Sequence, residues 1–200
     1  MDEAAVTDIQ FELQGTRLPE DHGQLLFEAL SRLLGWLADD DRIGIHAIHG
    51  AETGTGDLVL NKRAKLVIRA PAERVAALLE LAGQTIDVGG NQLRIGQGKL
   101  RPLTKHTPLL AHCVITGNEE EVEFVKDINR ILDEMHITCR FICGKRRTIA
   151  TAEGMVSGYS LMLHGLPIEH AILVQQEGMG RYRKIGCGIF IPHKSTDALV

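Results

Sequence analysis

The alternation of hydrophobic and polar residues predicts two series of elements in the same order along the chain. Ile9, Phe11 and Leu13 alternate with polar neighbours, as expected for a strand with one buried face. The first series runs strand, helix, strand, strand, helix, strand, which is the order of ferredoxin-like folds, and the second series is a weak repeat of that order. We therefore predict an α+β protein of two tandem ferredoxin-like halves, 1–98 and 109–200, joined by a linker over 99–108.

The same periodicities set the bounds of the predicted elements. In the first half these are strands over 6–15, 42–50 and 58–71, helices over 18–41 and 72–83, and a hairpin over 85–96. In the second half they are strands over 109–117, 136–143, 146–152, 158–166 and 185–192, and helices over 118–135 and 167–177. Gly144-Lys145 is the predicted turn between two of these strands, and Gly178 is a predicted left-handed helix cap. The longer helix has a predicted buried stripe of Val122, Val125, Ile128 and Leu132.

Composition and charge narrow the class of protein. The chain has 200 residues, 44% of them hydrophobic, and a net charge of −4, so it can build a core but is not basic throughout. From Cys139 onward, however, 8 Lys and Arg face 4 Asp and Glu, which allows a local basic surface. The pattern shows no signal peptide and no run of roughly 18 apolar residues. We expect a cytoplasmic protein without membrane contact, with reduced cysteines and no bound metal or cofactor.

The run from Gly178 to Phe190, "GMGRYRKIGCGIF", is the most unusual stretch of the chain. It lies between a predicted helix and a predicted strand, which is the reverse of a dinucleotide-binding fingerprint, and it lacks the Gly-Lys-Ser/Thr of a Walker loop. Two interpretations stay open. Its glycines (Gly178, Gly180, Gly186 and Gly188) and its cations (Arg181, Arg183 and Lys184) bind phosphates, or the run is a glycine-rich connection with solvated charges.

Two further basic groups accompany this run. Lys145, Arg146 and Arg147 fall at the predicted turn, and a looser group in and before the linker consists of Arg94, Lys99, Arg101 and Lys105. Either group alone is explained as a charged surface. Together, three basic groups on a protein built from sheets suit a phosphodiester backbone better than a small anion.

His22 is the best candidate among nine histidines for acid–base chemistry. A helix N-terminus lowers an imidazole pKa, whereas the neighbouring Glu20 and Asp21 raise it. These opposing effects could hold the pKa near neutrality, where a general acid or base works best. The alternative is a histidine at a helix start without any chemistry. His46 and His49 lie three residues apart on a predicted strand, so they point to opposite faces and make a poor metal pair.

With these residues in place, the chain resembles the CRISPR-associated endoribonucleases of the RAMP superfamily that process precursor transcripts, most of all their MYXAN-type branch. Four stretches carry the resemblance: "FELQGTRLPEDHGQLLFEAL", "LVIRAPAERVAALLELAGQTIDVGGNQLRIG", "GYSLMLHGLPIEHAILVQQEGMG" and "RKIGCGIFIP". They extend from about residue 9 to residue 192, while residues 98–150 match only in element order. Arg181 departs from the pattern, because relatives often continue with glycine after the position of Gly180.

The resemblance implies a fold and a reaction. Such enzymes consist of two ferredoxin-like folds, need no metal, and cut CRISPR transcripts within each repeat by attack of the ribose 2′-OH, which leaves a 2′,3′-cyclic phosphate. They often keep the 3′ hairpin of the crRNA, and other subunits of a surveillance complex are expected partners. The family histidine maps onto His22, with His46 in reserve, and the glycine-rich loop maps onto the run described above. Tyr159, Ser157 and Ser160 are guesses for a second catalytic group.

Two other classes of function remain open. A RAMP-type scaffold subunit would bind guide RNA without cutting it, and would have no use for His22. An unrelated ferredoxin-like protein would show neither RNA affinity nor salt dependence.

Overall fold

The computed structural model describes residues 6–193 and shows two compact units. Unit 1 comprises residues 6–102, 150–152 and 184–186, and unit 2 comprises 103–149, 153–183 and 187–193. The chain first passes from unit 1 to unit 2 inside the predicted linker, but two short later segments belong to unit 1 and not to the half predicted for them. Residues 1–5 and 194–200 of the predicted halves lie outside the described residues. Within the described ranges no helix is long and apolar enough to cross a bilayer.

Unit 1 is an α+β arrangement with an antiparallel five-stranded sheet. Its strands are β1 (Val6–Gln14), β2 (Arg17–Pro19), β3 (Gly44–Ile45), β4 (Ala51–Glu52), β5 (Asp57–Val59), β6 (Lys65–Pro71), β7 (Thr85–Val88) and β8 (Asn91–Pro102). Its helices are α1 (Gly23–Leu33) and α2 (Val75–Leu79), with 3-10 turns over Gly35–Ala38 and Ala72–Arg74. The main sheet has the order β3-β6-β1-β8-β7, and β2-β5-β4 form a small second sheet.

The core of unit 1 lies between one face of the main sheet and α1. Alternate residues of β1, such as Ile9 and Phe11, face the helix and are fully buried. Leu26 and Leu30 of α1, four residues apart, complete the same hydrophobic cluster. The helix thereby fixes the position of its own N-terminus, where His22 is the N-cap residue.

Unit 2 has a four-stranded sheet and two helices. Its elements are β9 (Leu109–Val114), α3 (Glu121–Glu134), β10 (Arg140–Thr151), β11 (Gly154–His164), α4 (Ile168–Glu177) and β12 (Ile191–Pro192). The sheet order is β10-β11-β9-β12. Phe124 and Ile128 of α3 and Val174 of α4 pack with the sheet in one cluster.

Several predicted bounds are wrong for identifiable reasons. The helix predicted from residue 18 begins at Gly23, because Arg17–Pro19 pair with β5 instead. Most of the predicted strands 42–50 and 185–192 is irregular, and only Gly44–Ile45 and Ile191–Pro192 pair. The predicted helix over 72–83 divides into the 3-10 turn and the short α2.

Two corrections concern unit 2. The predicted turn at Gly144-Lys145 is wrong, because β10 runs through it and turns only after Thr151. A Cβ at Gly144 would collide with the Ser160 hydroxyl, so this glycine serves a close approach within the sheet. The buried stripe of α3 is Phe124, Ile128 and Leu132, while the predicted member Val122 is 68% exposed. Positions four residues apart share a helix face, and Val122 is two residues out of step.

Candidate functional site

His22 lies at the N-terminus of α1 and is buried, with 3% of the residue exposed. Its Nδ1 lies 2.9 Å from the carbonyl oxygen of Pro19 and 3.1 Å from that of Glu20. Because carbonyl oxygens only accept, Nδ1 carries the proton. Nε2 then accepts the backbone N–H of Ile48 at 2.9 Å. Both ring nitrogens are therefore occupied by backbone, and the ring is the neutral Nδ1–H tautomer.

The pKa of His22 is lowered from its ordinary value. Burial is the largest cause, and the charge of His49 lowers the pKa further, while the two carbonyls and Asp21 raise it. The pKa expected near neutrality is therefore lowered, which favours the uncharged ring. The direct catalytic role of His22 stays a prediction, and it requires the ring to leave this enclosed position.

Other backbone segments of unit 1 converge on the same point. A Cβ at Gly23 would collide with the carbonyl oxygen of Ile185, so glycine permits a close approach of the segment Lys184–Gly186. A Cβ at Gly186 would lie 3.5 Å from the backbone nitrogen of Ala47. The middle of the glycine-rich run therefore packs beside the start of α1 and the segment that contains Ile48.

His46, the reserve candidate, belongs to a different cluster of unit 1. Its Nε2 lies 3.6 Å from Oδ1 of Asp8, and its side chain is 13% exposed. Asp8 also accepts two hydrogen bonds from the guanidinium of Arg69, at 2.7 and 2.9 Å. Burial alone would raise the pKa of Asp8, but Arg69 and His46 hold it well below its usual range. His46 is thus directed toward a buried ion pair, and its catalytic role also stays a prediction.

His49 is a histidine that sequence reasoning treated only as half of a poor metal pair. It lies outside any strand, one residue after Ile48, and its side chain is exposed. The spacing of His46 and His49 suggested opposite faces of one strand, but β3 ends at Ile45. No signal in the sequence shows which of the two histidines faces solvent.

The four glycines of the glycine-rich run all have positive φ, between 66° and 98°. At three of them, Gly178, Gly180 and Gly188, the reason is close contact between backbones of unit 2; a Cβ at Gly178 would collide with the carbonyl oxygen of Gly188. A Cβ at Gly180 would collide with the carbonyl oxygen of Ile115, and one at Gly188 with that of Met179. The backbone N–H of Gly188 also donates to the carbonyl oxygen of Cys113 at 2.8 Å. These glycines are needed for packing, whatever else the run binds.

Two of the three cations of the run bind the chain itself. Nη1 of Arg183 donates to the carbonyls of Gln176 and Glu177, at 2.7 and 2.6 Å, and so caps the C-terminus of α4. Nζ of Lys184 donates to the carbonyl of Ala38 and to Oδ1 of Asp41, the latter at 2.9 Å. Arg181 is exposed, so its charge faces solvent.

The cluster Lys145, Arg146 and Arg147 lies on β10 with all three side chains exposed. Arg146 pairs with Glu119 at 2.8 Å. Within residues 6–193, Lys145 and Arg147 form no ion pair. These two cations are the members of the cluster with charge available for a ligand.

The guesses for a second catalytic group lie within unit 2. The hydroxyl of Tyr159 donates to the carbonyl of Glu119 at 2.8 Å, and its ring is part of the core cluster. Ser157 is buried and shares a hydrogen bond with Thr148 at 2.9 Å. Ser160 lies beside Gly144 on the neighbouring strand.

Comparison with known proteins relates the chain to one group. The family model described as Cas6 Crispr matches residues 7–195. The CRISPR-associated endonuclease Cas6 of Myxococcus xanthus (strain DK1622) is 35% identical over 186 residues, which cover 92% of this chain and 80% of that protein.

Solved structures share the fold at much lower identity. A CRISPR associated protein Cas6 has a TM-score of 0.64 at 14% identity, covering 94% of this chain and 100% of that one. A RAMP protein binding different RNA substrates has a TM-score of 0.65 at 12% identity, covering 92% and 98%. Thermus thermophilus Cse3, solved with an RNA representing a pre-cleavage complex, has a TM-score of 0.53 at 12% identity, covering 93% and 98%.

Proposed function

The chain belongs to the Cas6 family of CRISPR-associated proteins, and on this premise we propose that it is an endoribonuclease that cuts CRISPR precursor transcripts within their repeats. The observation that carries the proposal is the 35% identity to a curated Cas6 endonuclease over 92% of the chain. We further propose that cleavage needs no metal ion and that the protein retains the repeat hairpin at the 3′ end of the mature guide RNA.

The chemistry proposed is an internal transfer at one phosphodiester. The ribose O2′ bonds to phosphorus, the P–O5′ bond breaks, and the products end in a 2′,3′-cyclic phosphate and a 5′-OH. RNA itself supplies the nucleophile, so the protein has to move protons and stabilise charge at the phosphorus. Histidine suits the first task at neutral pH, and cations or backbone N–H groups suit the second.

We place the chemistry in unit 1, at the start of α1, where His22 and the segment Lys184–Gly186 meet. His46 is the second histidine to test. Among the RNA contacts proposed, Arg181, Lys145 and Arg147 have charge directed to solvent, while Arg183 and Lys184 bind their own chain. The glycines of the run let its backbone approach other backbone closely.

The two units are proposed to be ferredoxin-like halves. Taking the four principal strands of each unit in chain order, both sheets arrange them as second, third, first, fourth. Placement in the cytoplasm and assembly with other subunits of a surveillance complex belong to the same proposal.

The test is cleavage of a 5′-labelled transcript of the CRISPR repeat from the genome that encodes the chain, in EDTA. We expect one cut per repeat, and no cut when a single 2′-deoxyribose replaces the ribose at the cleaved position. An unrelated hairpin RNA of equal length is the control and should stay intact. Cleavage of the 2′-deoxy transcript would contradict the proposed chemistry.

A scaffold that binds guide RNA without cutting it is the second candidate, and the burial of His22 favours it. The same assay separates the two functions. Tight binding of the repeat transcript without any product would assign the chain to the scaffold class.

A further inference from the structure

His49 differs from His22 and His46 in that its side chain is exposed. His22 is enclosed with both ring nitrogens bonded to backbone, and His46 is directed toward Asp8. We propose that His49, in place of the two candidates His22 and His46, is the catalytic histidine of the endoribonuclease, and that His22 is a positioning residue that fixes the backbone on which His49 stands. This inference rests on the proposed function.

The backbone is anchored on both sides of His49. On one side, the N–H of His46 donates to the carbonyl of Val67 at 3.0 Å. On the other side, Ala51 begins β4 and pairs with Val59 of β5. Residues 47–50 lie between these two anchors and outside any strand, so His49 stands on a short span with both ends fixed.

His22 fixes the middle of this span. The ring connects the carbonyls of Pro19 and Glu20, which accept from Nδ1, to the N–H of Ile48, which donates to Nε2. The side chain of Ile48 is itself buried. The residue after Ile48 is therefore held relative to α1, and a catalytic group has to be held in this way to transfer a proton efficiently.

The hydrogen bond to Ile48 exists only while His22 is neutral, because a protonated Nε2 cannot accept. Burial, the larger effect, and the nearby charge of His49 both lower the pKa of His22 and preserve this state. Because His22 stays neutral, the proton exchanged with RNA is carried by His49, whose side chain is exposed. His22 thus holds the backbone, and His49 transfers the proton.

The reaction balances with these groups. As the O2′–P bond forms, the 2′-OH loses its proton. As the P–O5′ bond breaks, O5′ takes the electron pair and gains a proton. His49 carries one of the two transfers and solvent carries the other, so no further reactant enters the step.

The first test compares single-turnover cleavage of the repeat transcript by the wild type, His49→Ala and His106→Ala. We expect His49→Ala to lose about 10²–10⁴-fold in rate while its affinity for the transcript is unchanged. His106 is an exposed histidine of unit 2 outside the proposed machinery, so its variant should cleave like the wild type.

The second test distinguishes a positioning role of His22, in which it holds the backbone of Ile48, from direct proton transfer by His22. Gln places its side-chain oxygen near the position of Nε2, where it can accept the N–H of Ile48, whereas Asn ends near Nδ1 and cannot reach it. We expect His22→Gln to keep most of the cleavage rate and His22→Asn to lose on the order of 10²-fold, the size of a misplaced catalytic group. Thermal unfolding of both variants verifies that each is folded.

The outcomes distinguish this inference from the proposed function. Cleavage by His49→Ala at the rate of the wild type overturns the inference. So does complete inactivity of a folded His22→Gln, because His22 would then carry the proton. A wild-type protein that never cuts the transcript overturns the proposed function, and the inference with it. If His22→Asn does not fold, the cleavage rates of His22→Gln and His49→Ala still test the inference.

Discussion

Arg69 is a charge that unit 1 buries almost completely, at 1% exposure, and Asp8 compensates it through two hydrogen bonds. Removing one partner of a buried ion pair leaves the other charge without its counterion, which costs more than the intact pair contributes. We expect Asp8→Asn to lower the free energy of unfolding by about 3–5 kcal/mol in urea denaturation at pH 7. The control is Asp57→Asn, whose exposed pair with Arg17 is 3.5 Å long and should contribute less than about 1 kcal/mol.

The same pair has a pH dependence with a definite sign. Since the pKa of folded Asp8 is held well below that of the unfolded carboxyl, which is about 3.9, the unfolded chain takes up the proton first as pH falls. The contribution of Asp8 is therefore complete above roughly pH 5 and is lost progressively in more acidic solution. The difference in stability between wild type and Asp8→Asn should shrink from pH 5 to pH 2. A difference that widened over this range would contradict the assignment.

His22 shows why the surroundings of a candidate residue can be read only in part from sequence. Its position at a helix start was readable, and so was the neighbouring charge of Asp21, which raises its pKa. The largest effect on its pKa is burial, and its Nε2 accepts the backbone N–H of Ile48, which lies 26 residues further along the chain. The local sequence does not show that contact, so it could not show that His22 is buried while His49 is exposed.

At the scale of elements, the glycine-rich run depends on close backbone contacts. Gly188 has φ of 66°, and a Cβ there would collide with the carbonyl oxygen of Met179. Gly165 has φ of 72° and belongs to the same unit, but apart from its chain neighbours no residue has a heavy atom within 4 Å of its added Cβ. Substitution of Gly165 by alanine therefore causes backbone strain from φ alone. Substitution of Gly188 causes the same backbone strain and, in addition, a collision with a neighbouring backbone.

We expect Gly188→Ala to lower the free energy of unfolding by about 1–3 kcal/mol more than Gly165→Ala, which costs about 1 kcal/mol through φ. Urea denaturation of the two variants beside the wild type measures both values. Equal losses would mean that the backbone of the run moves aside easily, and that its glycines are not needed for packing.

The helices and the principal strands were largely predictable because periodicity is local, but the short strands β2, β4 and β5 and the element bounds were not. α3 was found correctly from its acidic start and apolar spacing, and β7 and β8 from Gly89-Gly90. The segment 42–50 has the composition of a strand, yet only Gly44–Ile45 pair, because His22 takes the N–H of Ile48. β10 continues through Gly144 because its neighbour at Ser160 leaves room only for glycine.

At the scale of the whole molecule, a net charge of −4 has to be reconciled with a proposed RNA ligand. Intramolecular partners already take several cations, including Arg183 at the end of α4 and Lys184 beside Asp41. Counting basic residues therefore overstates the charge available to RNA. What a phosphate backbone meets is the smaller set of cations directed to solvent, such as Lys145 and Arg147.

This distinction predicts how RNA affinity depends on salt. Each cation that neutralises a phosphate releases a counterion and adds about 0.7–0.9 to the slope of log affinity against log salt. We expect Lys145→Ala/Arg147→Ala to reduce that slope by roughly 1.5 for the repeat transcript, measured by filter binding between 50 and 200 mM salt. Both side chains are exposed on β10, so the variant should fold normally.

The matched control is Lys62→Ala/Arg63→Ala, which removes two adjacent exposed cations from a turn of unit 1. It changes the net charge by the same amount, so a slope that depends on overall charge would fall equally in both variants. A slope that falls only in the β10 variant places phosphates at Lys145 and Arg147. An unchanged slope in the β10 variant would show that RNA does not contact this strand, and would leave Arg181 as the exposed cation of the glycine-rich run to examine next, because Arg183 and Lys184 are held by their own chain.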